Sequence, residues 1–128
     1  MRTRQRAIQD IMEVLDSDFL RALTERARLE ILRVLLLHGA SDVTSIASHL
    51  PQERSVISRH LKVLEDAGIV RVTPQGRQRI YSLDPMKFLA TLEAITARVR
   101  AAVPDCCPLP PEPPPTPRVE SRNKPRPR

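Results

Sequence analysis

Glycine is scarce in this chain, with three in 128 residues, and each falls where a helix ends or the chain turns. None is left to cradle a phosphate, and neither a nucleophile elbow nor a paired acid–base set occurs, so the sequence carries no enzyme's motif. Cysteine is almost as rare. The two that occur, Cys106 and Cys107, are neighbours and cannot build a disulfide framework. No run of about 18 apolar residues exists, which argues against a membrane span. The basic stretch from Met1 to Gln9 lacks the apolar core of a signal peptide. These absences predict a soluble, cytoplasmic protein with no membrane partner and no required cofactor.

Proline is the exception to this thrift. Ten of the 13 prolines lie between Pro104 and Arg128, in PLPPEPPPTPRVESRNKPRPR and the residues just before it, a segment with almost nothing to bury. It reads as a disordered, polyproline-like tail at 104–128, which leaves 1–103 as one folded domain. The formal net charge is +6, of which the tail supplies +2 and the folded part +4. That balance permits nucleic-acid binding without establishing it, so the placement of the cations decides.

The periodicity predicts mainly α structure with one small β-hairpin. Apolar residues at helical spacing from Gln5 to Leu23 describe a first helix, with cap-forming residues at Asp16-Ser17-Asp18 as a potential break. Thr24 is placed to cap a second helix that runs to His38 and stops at Gly39; its apolar density puts it at the centre of the domain. Ser41 or Asp42 caps a brief third helix ended by Pro51. A fourth, Gln52 to Ala67, carries Ile57, Leu61 and Leu64 on one face and closes at Gly68. Ile69–Thr73 and Arg77–Leu83 alternate as strands around Pro74-Gln75-Gly76, read as the turn. Asp84 and Pro85 open a fifth helix to about Val103.

Two helices followed by a basic hairpin is the order of a winged helix-turn-helix, in which the second helix enters the major groove and the hairpin meets the neighbouring backbone. With about 100° per residue and Ile57 at zero, Ser55, Ser58, Arg59 and Lys62 project at roughly 160°, 100°, 200° and 140°, opposite the core face. Acidic Asp66 joins this stripe only at its far end. A helix N-terminus favours phosphate, arginine pairs bidentately with guanine, and serine permits close approach. Such a stripe also describes an ordinary solvated face, but Arg71, Arg77 and Arg79 on the hairpin add a second basic cluster. The candidate contacts to double-stranded operator DNA are Arg54, Ser55, Val56, Ser58, Arg59 and Lys62 on the helix, with Arg77 and Arg79 on the wing.

The segments LTERARLEILRVLLL (Leu23–Leu37), SVISRHLKVLEDAGIV (Ser55–Val70) and GRQRIYSLDP (Gly76–Pro85) resemble the ArsR/SmtB family of winged-helix repressors, over roughly residues 19 to 103. The resemblance implies a homodimer joined through the first and last helices, and a promoter that is covered until a small inducer binds. It also implies an inducer among thiophilic metals and metalloids, zinc and its relatives, or sulfur and redox species. The family's Cys-x-Cys thiol site corresponds here to Ser41-Asp42-Val43-Thr44-Ser45, which has no sulfur. Its zinc site on the last helix uses Asp and His pairs, and no histidine lies between Asp84 and Val103.

Cys106 and Cys107 therefore become the candidate metal ligands. Vicinal thiols select soft centres, and the placement resembles arsenical-responsive relatives with cysteines near the end of the last helix. The expected inducer is a trivalent arsenic species bound by thiolates. Arsenite wants three sulfurs, so a third ligand would come from a partner subunit; a methylated arsenical or mercury(II) needs only two. Reversible oxidation or persulfide formation at the same thiols, a repressor without a metal effector, and an incidental cysteine pair stay open as alternatives. A module that presents the proline-rich tail to other proteins is a further reading, one that leaves the basic stripe unexplained. The spacing of His38, His49 and His60 matches no usual zinc pattern.

Overall fold

The computed structural model describes residues 3–107 and 112–117. Residues 112–117 are exposed and form neither helix nor strand; the rest of the stretch from 108 onward that was assigned to the tail lies outside the described residues.

Six helices are present where the sequence pattern suggested five. Helix α1 (Arg4–Leu15) is capped by Thr3, and α2 (Asp18–Ala22) by Ser17, whose hydroxyl accepts from the Leu20 amide at 3.3 Å. The Ser17 cap divides what apolar spacing alone joins into one helix, because a side chain that satisfies the next turn's amides starts a new helix. Arg21 and Asp16 pair across the break.

Helix α3 (Arg26–His38) starts one residue later than Thr24 would place it. Glu25 is its N-cap residue, with no side-chain cap, while the Thr24 hydroxyl donates back to the Arg21 carbonyl at 2.7 Å and closes α2. Ile31, Val34 and Leu35 of α3 are buried, yet Leu36 stays 72% exposed and Leu37 is also exposed, so only one side of this leucine-rich helix is core.

Helix α4 (Val43–Ala47) is shorter than expected and ends before Pro51. Helix α5 (Arg54–Asp66) buries Ile57, Leu61 and Leu64 completely, each worth about 1.5–3 kcal/mol of transfer free energy.

The end of α5 is fixed by a paired set of hydrogen bonds. The Gly68 amide donates to the Glu65 carbonyl at 2.9 Å and the Ile69 amide to the Leu64 carbonyl at 3.0 Å, with Leu64 and Ile69 both buried. This is a Schellman closure, and it needs the left-handed φ of +76° that Gly68 adopts. Gly68→Ala should cost about 1–2 kcal/mol of stability, measured by denaturant unfolding, because a Cβ resists that conformation. A Cβ there would meet the Lys87 Cε at 2.8 Å, which that flexible side chain can relieve.

Strands β1 (Val70–Gln75) and β2 (Gln78–Leu83) form an antiparallel hairpin in which Gln75 faces Gln78. The two central turn residues are therefore Gly76 and Arg77, and Pro74 lies in the strand opposite Arg79 rather than in the turn. Gly76 alone has positive φ (+62°), the pattern of a type II′ turn, whose twist suits a hairpin. Pro74 is tolerated because the pair beyond a two-residue turn is not hydrogen-bonded, so no ladder amide is missing.

Helix α6 (Pro85–Cys106) is capped by Asp84 and runs through Pro104, three residues past the expected end, so Cys106 is helical and Cys107 is the C-cap residue. Helix α1 packs antiparallel along α6: Ala7 and Ala102 are fully buried at the crossing, and Arg98 pairs with Glu13 at 2.9 Å. Phe88 at the start of α6 meets Phe19 of α2 with ring centroids 5.1 Å apart, which fastens α6 to the central core.

Candidate nucleic-acid interface and thiol pair

The opposing core residues turn the polar side of α5 outward, and the hairpin folds up beside it. Between them lies a groove of about 550 Å³ lined by Arg54, Ser58 and Lys62 of α5 and by Arg77, Gln78 and Arg79 of the wing. Five of the eight residues assigned to DNA from the sequence thus share one concave surface. Ser55 and Arg59 are exposed but do not line it; they project from the outer side of α5. Val56 is half-buried.

Arg71 does not join the others. In the hairpin register it faces Ser82, and its Nε donates to the Ser82 Oγ at 3.2 Å, on the opposite face of the sheet from Arg79. Residues 71 and 79 sit on different strands, so their faces follow from register rather than from alternation within one run.

Acidic groups temper the groove. Lys62 pairs with Asp66 at 3.2 Å, and Arg79 lies 3.9 Å from Glu65. Asp42 also lines it, which a reading of Asp42 as a helix cap alone does not reveal. Its Oδ1 accepts from the Ser45 amide at 2.8 Å and its Oδ2 from the Gln78 side-chain amide at 3.3 Å. Hydrogen bonds from Ser45 and, more weakly, the Arg54 charge hold the Asp42 carboxyl below its ordinary value. Its contribution to stability is therefore present above the ordinary carboxylate value and disappears as pH falls through the lowered one.

Arg28, which the sequence pattern gave no reason to single out, is the buried charged residue of the core. Its Nε donates to the Ala22 carbonyl at 2.8 Å and its Nη2 to the Arg21 carbonyl at 3.2 Å, while Nη1 lies 3.5 Å from the His60 Nδ1. A guanidinium only donates, so Nδ1 is the acceptor and His60 serves to hold α5 against the α2–α3 turn. His38 and His49 stack with centroids 4.1 Å apart and planes 13° from parallel. Ring nitrogens bind metals in the ring plane, and two stacked planes do not converge on one ion. No cluster of three or more His, Cys, Asp or Glu suited to a metal occurs among the described residues.

Cys106 and Cys107 lie where the α1–α6 pair ends, with their sulfurs 3.2 Å apart. The hydrogen bond with Cys107 and partial burial push the Cys106 thiol above its ordinary value, against a weaker pull from Arg4.

Helices α3 to α5 and the hairpin define a winged helix-turn-helix. A family model described as "Bacterial regulatory protein, arsR family" matches residues 25–72, from the residue before α3 into β1. The uncharacterized HTH-type transcriptional regulator Rv0081 of Mycobacterium tuberculosis is 33% identical over 88 residues, covering 66% of this chain and 77% of that protein. The HTH-type transcriptional regulator Rv2034 of the same organism is 44% identical over 55 residues, 43% of this chain, and the match spans about half (51%) of Rv2034. A crystal structure described as a possible transcriptional regulator for arsenical resistance superposes with a TM-score of 0.54 at 35% identity, covering 72% of this chain and 99% of that one. The chain belongs to the ArsR family of HTH transcriptional regulators. No helix among the described residues is long and apolar enough to cross a membrane.

Proposed function

We propose that the protein is a dimeric repressor that grips operator DNA with α5 and the wing and lets go when a trivalent arsenical binds Cys106 and Cys107. The observation that carries the DNA reading is the shared groove: Arg54, Lys62, Arg77 and Arg79 reach it from two elements that the fold holds side by side. A phosphodiester backbone fits between a helix in the major groove and a wing beyond it, and each cation that meets a phosphate releases a counterion. Selection of duplexes from a random library, followed by a salt series on the selected sequence, tests this. A protein that retains no duplex at low salt is not a DNA-binding repressor.

Helix α1 has two apolar stripes. Ala7 and Val14 face α6, while Ile8, Met12 and Leu15 turn outward, with Leu15 60% exposed; Leu89 and Leu92 of α6 are exposed too. A second copy would cover these surfaces around a two-fold axis and set two α5 helices one DNA turn apart. Light scattering at micromolar concentration should give a dimer mass, and Met12→Glu with Leu15→Glu should shift it to the monomer. A monomeric mass for the unaltered protein would count against the arrangement.

The sulfur geometry favours an arsenical. With bonds of about 2.3 Å, sulfurs 3.2 Å apart subtend about 90° at the bound atom, whereas a linear two-coordinate ion needs them about 4.6 Å apart. Trivalent arsenic is pyramidal and bonds at close to a right angle. The exchange balances as two thiols and two arsenic-bound hydroxyls giving two As–S bonds and two waters. The crystal-structure relative at 35% identity, whose description names arsenical resistance, supports the same reading.

The same 3.2 Å contact favours one alternative, oxidation of the two thiols to a strained vicinal disulfide by a peroxide, with loss of two hydrogens. Intact-protein mass after arsenite, methylated arsenite or peroxide treatment separates the two.

A further inference from the structure

Besides the buried Val70 and Tyr81 and the Arg79–Glu65 pair, the wing is hydrogen-bonded to the segment before α4 at two successive residues, Ser41 and Asp42. At its root, Ser41 and Tyr81 exchange backbone hydrogen bonds, Ser41 N to Tyr81 O at 3.0 Å and Tyr81 N to Ser41 O at 2.9 Å. Three residues nearer the tip, the Gln78 side chain donates to the Oδ2 of Asp42. The core contacts and the backbone bridge hold the base of the hairpin, and Arg79–Glu65 is a long, solvent-accessible pair, so the hydrogen bond beside the turn is what fixes the angle of the tip to α4 and α5.

A carboxylate is a costly choice for a surface that receives phosphate, and a serine would cap α4 as well as aspartate does. What Asp42 adds is a second oxygen, which reaches the wing while the first stays on the Ser45 amide. Arg54 lines the same groove and offsets the charge.

We infer that Asp42 is a positioning residue for DNA binding: through Gln78 it latches the wing at the angle that brings Arg77 and Arg79 to the same backbone as α5. This rests on the DNA reading of the groove. It makes a prediction opposite in sign to simple electrostatics, because removing a negative charge from a phosphate-binding surface should by itself tighten binding.

Three variants of the full chain separate the possibilities. Asp42→Asn removes the charge but keeps both bonds, since its oxygen still caps α4 and its amide donates to the Gln78 carbonyl oxygen once that side chain flips. Asp42→Ser removes the charge, keeps the cap and loses the latch. Gln78→Ala loses the latch alone.

On a duplex selected by the unaltered protein, Asp42→Asn should bind at least as tightly as the parent. Asp42→Ser and Gln78→Ala should each bind about 3- to 10-fold more weakly, with a flatter salt dependence, and these two changes combined in one chain should bind no more weakly than either alone. The melting temperature of Gln78→Ala should match the parent's, and those of the two Asp42 variants should fall together by a small, equal amount, because both lose the charge that the Ser45 hydrogen bonds stabilise. In the DNA-free protein, amide exchange from Thr73 to Ile80 should quicken in Asp42→Ser and Gln78→Ala but not in Asp42→Asn. Asp42→Ser binding as tightly as Asp42→Asn, or exchange unchanged in Asp42→Ser, overturns the latch. Failure of the unaltered protein to select any duplex overturns the DNA reading instead, and the exchange measurement still decides whether the latch exists.

Discussion

Changing Cys106 and Cys107 together to serine should leave operator affinity unchanged and abolish release by a trivalent arsenical. The thiols sit at the end of α6, beside the start of α1, and take no part in the groove formed by α5 and the wing. Binding without the effector has no reason to change. Release does, because an effector displaces DNA only through its different affinity for two arrangements of the protein, and serine oxygen is a poor donor to a soft centre. Helix α6 offers a route for that difference. It begins immediately after β2, with the Asp84 amide bonded to the Ile69 carbonyl at 3.0 Å and Phe88 on Phe19, so a movement of the whole helix on effector binding would reach the root of the wing.

Each single serine variant should also fail, since one thiolate loses the effective concentration that the second supplies. Fluorescence anisotropy of a labelled operator during titration with methylarsonous acid reads all of this. Dissociation of the double variant at the arsenical concentration that releases the parent means that the thiol pair is not the sensor.

Arg59→Ala is expected to cost about 1–3 kcal/mol on the selected operator and little on random duplex, because Arg59 projects from the exposed side of α5 and lies outside the groove that meets the backbone. Arg79→Ala should behave oppositely, with a similar loss on both duplexes and a salt slope smaller by about one. To meet a phosphate Arg79 would have to give up its neighbour Glu65, 3.9 Å away; Arg79 is exposed and Glu65 half-buried, so the expected net gain is modest. Competition binding at several salt concentrations distinguishes the two residues. Equal losses on operator and random DNA for Arg59→Ala would make it a phosphate contact.

Sequence alone determined the elements with strong local signals. Ile57, Leu61 and Leu64 at helical spacing define the core face of α5, and the polar stripe opposite follows from the same arithmetic. Asp84 and Pro85 mark the start of α6 because a cap and a fixed φ are properties of single residues. The family was legible in SRHLKVLEDAGIV, and the winged helix-turn-helix in the order of helices and hairpin.

What only the tertiary structure decided depends on register and on partners distant in sequence. The division of the first helix turned on whether Ser17 or helix continuation satisfied the next amides, and apolar periodicity does not weigh those bonds. The turn fell at Gly76-Arg77, not around Pro74, because strand pairing, not the proline, set the register; that register also sent Arg71 to the face away from Arg79. Leu36 and Met86 are more than 70% exposed, since apolar composition states what is available for burial and not which neighbour arrives. The hydrogen bonds of Arg28 to the α2–α3 turn and of Asp42 to Gln78 join residues up to 36 positions apart. No local pattern records such a meeting, because it exists only once the chain has folded.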